Sequence, residues 1–353
     1  MYKPYDLKIF VDISTYCNAG CPQCHRTDPN GLGKAEWLPL IQWNIEQFKT
    51  AFPLNLLKQT KILNLCGTWG DPVMNKDIKE IVQYIAKTNP NTDIHINTNG
   101  SMRDEQWWWE LGIIGGKNLR VVFAVDGTNQ EMHEKYRRFT NLEKVLKNMK
   151  ALSDTRATSV GHTILFRHNQ DHIKSIKTLC EKNGATSYMV TTSDRFDHED
   201  SQEGKYFYFR NEQGIDDVLE ISTHTSENAF IQGTHHQKEL QKEIKCRWKF
   251  SNRILVNIDG QVYPCCYIVN QYYKSKFVDK YGTSLINHEV MKEYAELKDE
   301  HNIFKNDLLS IIKQSKWFNQ ILPTSWTGNN PIMQCSRFCS SAIKKTQQLK
   351  EYI

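Results

Sequence analysis

The sequence contains no apolar run approaching the roughly 20 residues that a membrane-spanning helix requires, so no membrane partner is expected. Its opening, MYKPYDLKIF, lacks the basic-then-apolar layout of a secretory signal. No block of lysine and arginine stands out, and a formal net charge of +5 spread over 353 residues gives no reason to expect nucleic acid. The glycine fingerprint of a dinucleotide-binding turn is missing from CNAGCPQC, where it would fall. These absences predict a globular, cytoplasmic chain in a reducing environment. There, ten cysteines argue for metal or redox chemistry before disulfides. One more lack is local: Cys17, Cys21 and Cys24 crowd into eight positions, with no fourth cysteine nearby.

From Leu7 to about Thr192 short β-branched runs alternate with longer amphipathic ones. Strands are predicted at 7–13, 61–66, 93–98, 119–125, 159–166 and 186–192, with helices between them, the first spanning AEWLPLIQWNIEQFKTAF. Six strand–helix units imply right-handed crossovers and a parallel sheet. The fold class is α/β, a partial (β/α)6 TIM-like barrel over residues 1–192. Residues 193–245 are polar and weakly periodic, and read as a linker or substrate-facing insert containing His224, His235 and His236, taken as ordinary loop histidines. A smaller C-terminal unit of β-hairpin plus helices spans 246–353, its hairpin turning at Asp259-Gly260 in RILVNIDGQVYPCC.

In parallel α/β architecture chemistry gathers at the carboxyl ends of strands, and the cysteine loop follows strand one. Zinc wants four ligands, or three plus water. An iron–sulfur cluster on three thiolates instead leaves one iron with an open position. The residues alone leave zinc, iron–sulfur and chance open.

The C-x3-C-x2-C spacing resembles the radical S-adenosylmethionine (radical SAM) superfamily. That resemblance implies a [4Fe–4S] cluster on Cys17, Cys21 and Cys24 that chelates S-adenosylmethionine and reductively cleaves it to a hydrogen-abstracting 5′-deoxyadenosyl radical. CGTWGDP resembles the family's Gly-Gly-Glu-Pro element, implying that Gly70, Asp71 and Pro72 face the methionyl amine, with a shorter carboxylate than usual. NTNGS looks like the ribose-side segment and makes Thr98 and Asn99 candidates. AVDGTNQEMHEKYRR resembles a stretch of peptide-modifying members, implying a site role for Asp126 and a methionyl-carboxylate role for Arg137, whose fork suits that job. Ala124 stands where serine is common, and Gln23 where an aromatic would pack on adenine, so Trp69 or an aromatic elsewhere is the substitute candidate.

Five cysteines remain in the C-terminal unit. A hairpin folds Cys246 and Cys265 toward each other, and CSRFC adds Cys335 and Cys339. This resembles the SPASM/twitch extension in its shorter form and implies one auxiliary [4Fe–4S] cluster on Cys246, Cys265, Cys335 and Cys339; a structural zinc would use the same four thiolates. Cys266 is ambiguous, because adjacent strand residues face opposite ways. Cys66 and Cys180 read as packing residues.

The resemblance implies a radical SAM enzyme acting on a peptide or protein side chain or a small molecule, fed by an external electron donor such as flavodoxin or ferredoxin. Strand one begins almost at once, leaving no leader-recognition segment, which weighs against a peptide. The rival class is a non-catalytic, zinc-stapled interaction protein.

Overall fold

The computed structural model describes residues 6–193, 195–196, 205–224, 243–276, 283–340 and 350–352. His235 and His236 lie outside them. Six strands fall where the β-branched runs place them: β1 (Leu7–Val11), β2 (Thr60–Leu65), β3 (Asp93–Thr98), β4 (Leu119–Ala124), β5 (Thr158–Leu165) and β6 (Ser187–Thr192). They pair in parallel, each with its sequence neighbour, as a run of βαβ units dictates.

Three further strands complete one nine-stranded sheet: β9 (Arg253–Val256), β10 (Val262–Tyr263) and β11 (Lys350–Tyr352). The C-terminal hairpin therefore does not stand apart. β9 pairs in parallel with β1, β10 turns back on β9, and β11 pairs antiparallel with β6. Gly260, at φ +78°, makes the hairpin turn, and a Cβ there would strike the Phe304 ring at 2.5 Å.

Helices Ile78–Thr88, Glu105–Gly115, Leu142–Ser153 and Ile173–Lys182 occupy the crossovers with their apolar faces buried. The first predicted helix starts later, at Ile45. Asn44 closes a reciprocal capping box with Gln47, which sets the start there. In WWW, Trp108 is buried against Phe123, while Trp109 is exposed.

Alternate strand residues are buried, and those between are only partly covered. On this second face Asn97 donates to Asn64, His162 bonds Thr191, and Arg120 of β4 reaches Met189 of β6, two strands away. It is the polar, concave face of an open barrel.

The insert is not a plain linker. It contains an antiparallel hairpin, β7 (Tyr206–Arg210) and β8 (Asp216–Glu220). Asn211 accepts from the amides of Gln213 and Ile215, and Gly214 at φ +76° completes the turn.

Candidate cofactor and cluster sites

The cysteine loop leaves the carboxyl end of β1 and is held from three sides. Cys24 N–H donates to Cys21 C=O at 2.9 Å, Gly20 N–H to Arg138 C=O at 3.1 Å, and Asp71 N–H to Tyr16 C=O at 2.8 Å. Gly70 is required for the last approach, since a Cβ there would lie 2.4 Å from Ser14 O and 2.7 Å from Tyr16 O. All three cysteines are free thiols. Burial pushes the Cys17 and Cys21 thiols up, while Arg26 pulls Cys17 down and Arg137 pulls Cys21 down. Nitrogen donors already face two sulfurs: Asn99 Nδ2 is 3.7 Å from Cys17 Sγ, and Arg137 Nη1 is 3.8 Å from Cys21 Sγ.

Asp71 ties the second and third strand ends to that loop. Its Oδ2 accepts from Thr98 Oγ1 at 2.9 Å and from Asn99 N and Nδ2, both at 2.8 Å, while Oδ1 accepts from Val73 N. Burial raises its pKa, and these bonds oppose the rise. Asn99 Nδ2 also reaches Asn18 Oδ1 at 2.9 Å. Gly70, Asp71, Thr98 and Asn99 thus converge on the cysteine loop, with Pro72 opening the short turn beside them and the Asp71 carboxylate turned inward as a fastener.

The fourth strand end contributes Asp126, fully buried, whose Oδ2 accepts from Arg137 Nε at 2.5 Å and Oδ1 from Ile164 N at 2.6 Å. Burial raises Asp126, and Arg137 opposes that. His133, unassigned from sequence, fixes this turn. It accepts from Asp126 N at Nδ1, so its Nε2–H faces Thr140 Oγ1. Burial, then Arg137, pushes His133 down to about 3, keeping it neutral. Asn169 donates to Asp126 C=O and Ile164 C=O, pinning the same turn from β5.

Gln23 is buried and bonds Ser193 and Arg195, so it anchors the chain beyond β6. Trp69 is fully buried and donates to Asn257, with Trp37 edge-on at 5.5 Å; it belongs to the core joining barrel and C-terminal region. An apolar shell closes over the cysteines, in which Phe209 and Leu219 of the hairpin pack with Tyr136, Phe166 and Phe196.

The four C-terminal cysteines also meet. Cys246, Cys265, Cys335 and Cys339 line one small cavity with Trp326 and Tyr267. A bridge between Ile244 and Ser340, with Lys245 N–H donating to Cys339 C=O, brings the first and last together. The hydrogen bond between Cys246 and Cys339 pushes the former up and the latter down. Cys266 opens the helix Cys266–Ser275 and is partly exposed; Cys180 is buried packing against Gly161. Cys66 Sγ lies 3.7 Å from Asp12 Oδ1.

Among the described residues, no group of three or more His, Cys, Asp or Glu side chains closes tightly enough to hold a single metal ion. An iron–sulfur cube takes its thiolates at separate corners, a wider spread than one ion accepts. The donor chemistry fits such a group: all-sulfur ligands, N–H donors and cations beside the sulfurs, and an apolar cover. Among the described residues no helix is long and apolar enough to cross a membrane.

The family model of the Radical SAM superfamily matches residues 11–180. A GTP 3′,8-cyclase of Clostridium botulinum (strain Okra / Type B1) is 25% identical over 282 residues, 76% of this chain and 84% of that protein. A cysteine-type anaerobic sulfatase-maturating enzyme of Clostridium novyi (strain NT) is 22% identical over 95% of this chain and 94% of its own. Among solved structures, Streptococcus suis SuiB bound to precursor peptide SuiA superposes with a TM-score of 0.57 at 12% identity, over 91% of this chain and 67% of that one. Native anSMEcpe with bound AdoMet gives a TM-score of 0.56 at 13% identity, over 95% and 89%.

Proposed function

The chain belongs to the radical SAM superfamily and is an enzyme, and from that premise we propose that it removes a hydrogen atom from a peptide or protein side chain, assisted by one auxiliary [4Fe–4S] cluster. The family brings a [4Fe–4S] cluster and S-adenosylmethionine, and that pair, once bound and reduced, supplies the 5′-deoxyadenosyl radical. The observation that carries the reading is the convergence of four strand ends on one loop: Cys17, Cys21 and Cys24, the Asp71–Thr98–Asn99 knot, and the Asp126–Arg137 pair. The family assignment displaces the non-catalytic zinc reading.

The residues divide the work. Cys17, Cys21 and Cys24 hold the cluster. The backbone of Gly70, Asp71 and Pro72 faces the methionyl amine, while the inward-turned Asp71 carboxylate fixes Thr98 and Asn99 toward the ribose. Arg137, preset by Asp126, receives the methionyl carboxylate as a planar fork. Phe166, Phe209 and Leu219 exclude water from this corner. Cys246, Cys265, Cys335 and Cys339 hold the auxiliary cluster as a full set of four, and an external flavodoxin or ferredoxin delivers electrons. The sulfatase-maturating relative, aligned over nearly the whole chain, supports a polypeptide substrate. The cyclase relatives favour a second reading, a nucleotide-like small molecule.

Anaerobic reconstitution with iron and sulfide tests the proposal. About eight irons per chain and 5′-deoxyadenosine on reduction with S-adenosylmethionine are expected. Deuterium transfer into 5′-deoxyadenosine from labelled peptides, and not from labelled nucleotides, would support the first reading over the second. Absence of an iron–sulfur signal in the oxygen-protected protein would end both.

A further inference from the structure

Arg26 lies two residues past the third cysteine and is 5% exposed. Its Nε donates to Trp69 C=O and its Nη1 to Ala19 C=O, both at 3.2 Å. Both acceptors are neutral. Among the described residues no carboxylate forms an ion pair with it, whereas its neighbour in function, Arg137, is matched by Asp126. A guanidinium stays charged at any working pH, and burying it without a counter-charge is costly. Proteins answer that cost with an anion nearby. The groups Arg26 faces are the loop of Cys17 to Cys24 on one side, through Ala19, and the loop of Gly70 and Asp71 on the other, through Trp69.

We infer that Arg26 is the buried counter-charge of the thiolate-held cluster, a positioning residue that raises the cluster's reduction potential and secures its retention. This rests on the cluster reading above. Three thiolates around an iron–sulfur core leave a net negative charge, which grows when the core takes up an electron. A fixed cation in a water-poor pocket favours the more negative state, so it favours reduction. The two carbonyl bonds aim the charge: they fix the guanidinium plane between the loops, so it does not depend on a mobile surface side chain.

The test uses the reconstituted full chain and compares Arg26→Gln with Arg26→Lys. Gln keeps hydrogen-bonding capacity without charge; Lys keeps charge without the fork. Electron paramagnetic resonance redox titration, in a background with Cys246→Ala to silence the auxiliary signal, reads the midpoint. Arg26→Gln is expected to lower the reduced-to-oxidised ratio at fixed potential by about tenfold, a shift of about 59 mV for one electron, with Arg26→Lys closer to the parent. Loss of iron by the Gln variant alone would also support the charge role. An unchanged midpoint in an iron-loaded Gln variant would overturn it. So would iron loss in both variants, which would mark Arg26 as a mere cross-link, or weaker S-adenosylmethionine binding at an unmoved midpoint. A second readout needs no iron: with the unpaired charge gone, cluster-free Arg26→Gln should unfold at the same or higher temperature than its cluster-free parent, and a lower one would count against the inference. Failure of the parent itself to bind iron would sink the proposed function instead, so the two are separable.

Discussion

The Arg137 guanidinium spans two partners: Nε donates to Asp126 Oδ2 at 2.5 Å, and Nη1 stands 3.8 Å from Cys21 Sγ. Asp126 is fully buried and the Arg137 side chain is 14% exposed. Breaking such a pair strands a charge. Asp126→Asn is expected to destabilise the fold by about 3 kcal/mol, read as a lower urea midpoint at unchanged slope. Arg137→Lys, which keeps charge but not the fork, is expected to weaken S-adenosylmethionine binding about tenfold, roughly 1.4 kcal/mol, in an anaerobic equilibrium titration. Unaltered affinity would remove Arg137 from the carboxylate role.

The two cysteine sets separate by experiment. Alanine at Cys17, Cys21 or Cys24 should abolish 5′-deoxyadenosine formation and leave about four irons per chain; alanine at Cys246 or Cys339 should also leave about four, yet retain cleavage of S-adenosylmethionine. Iron analysis beside chromatography of the nucleoside decides it. Zinc in place of iron after reconstitution of the C-terminal set would return that site to a structural staple.

Much of this was legible from residue order, and the parts that were not share a physical reason. The six strands are written in β-branched runs, and the cysteine spacing, Asp71, Thr98, Asn99 and Asp126 fall at or just past their carboxyl ends, where a parallel sheet collects chemistry, with Arg137 brought in through Asp126. The pairing of β9 with β1 leaves no local mark, since its partner lies far along the chain. The β7–β8 hairpin hid in a polar stretch because its strands bury little except Phe209 and Leu219. Arg26 is unremarked as a residue type; its meaning comes only from the carbonyls of Ala19 and Trp69 and the acids it lacks. The inward turn of Asp71 is likewise a product of the shorter side chain meeting Thr98 and Asn99.

The hairpin bears on oxygen sensitivity. Phe209 and Leu219 are buried over the cysteine loop, and Arg138 clamps the hairpin through Asp217 at 2.6 Å. Leu219→Ala removes part of that cover at a cost of about 2–5 kcal/mol if the site cannot collapse. The iron–sulfur absorbance of the Leu219→Ala protein is expected to bleach faster in air than that of the parent, with the same initial iron content. Equal bleaching rates would mean the hairpin shields nothing.

Asp12 gives a pH signature independent of any cofactor. It directly follows β1 at zero exposure; Oδ1 accepts from Thr68 N at 2.8 Å, while Oδ2 is buried with no hydrogen-bond partner. Burial raises its pKa from 3.8 to about 7, with bonds from Thr68, Cys66 and Trp69 opposing. The folded state therefore binds this proton more tightly than the unfolded state does. Its contribution to stability is fully present below about pH 4 and is lost as pH rises toward 7, an effect of at most about 4 kcal/mol. Asp12→Asn keeps an acceptor for Thr68 and cannot ionise. The difference in unfolding free energy between Asp12→Asn and the parent should accordingly grow in the variant's favour between pH 4 and 7 and level off above. Urea denaturation of the cluster-free proteins across that range measures it, and a difference that stays flat with pH would show that Asp12 is an ordinary ionised carboxylate.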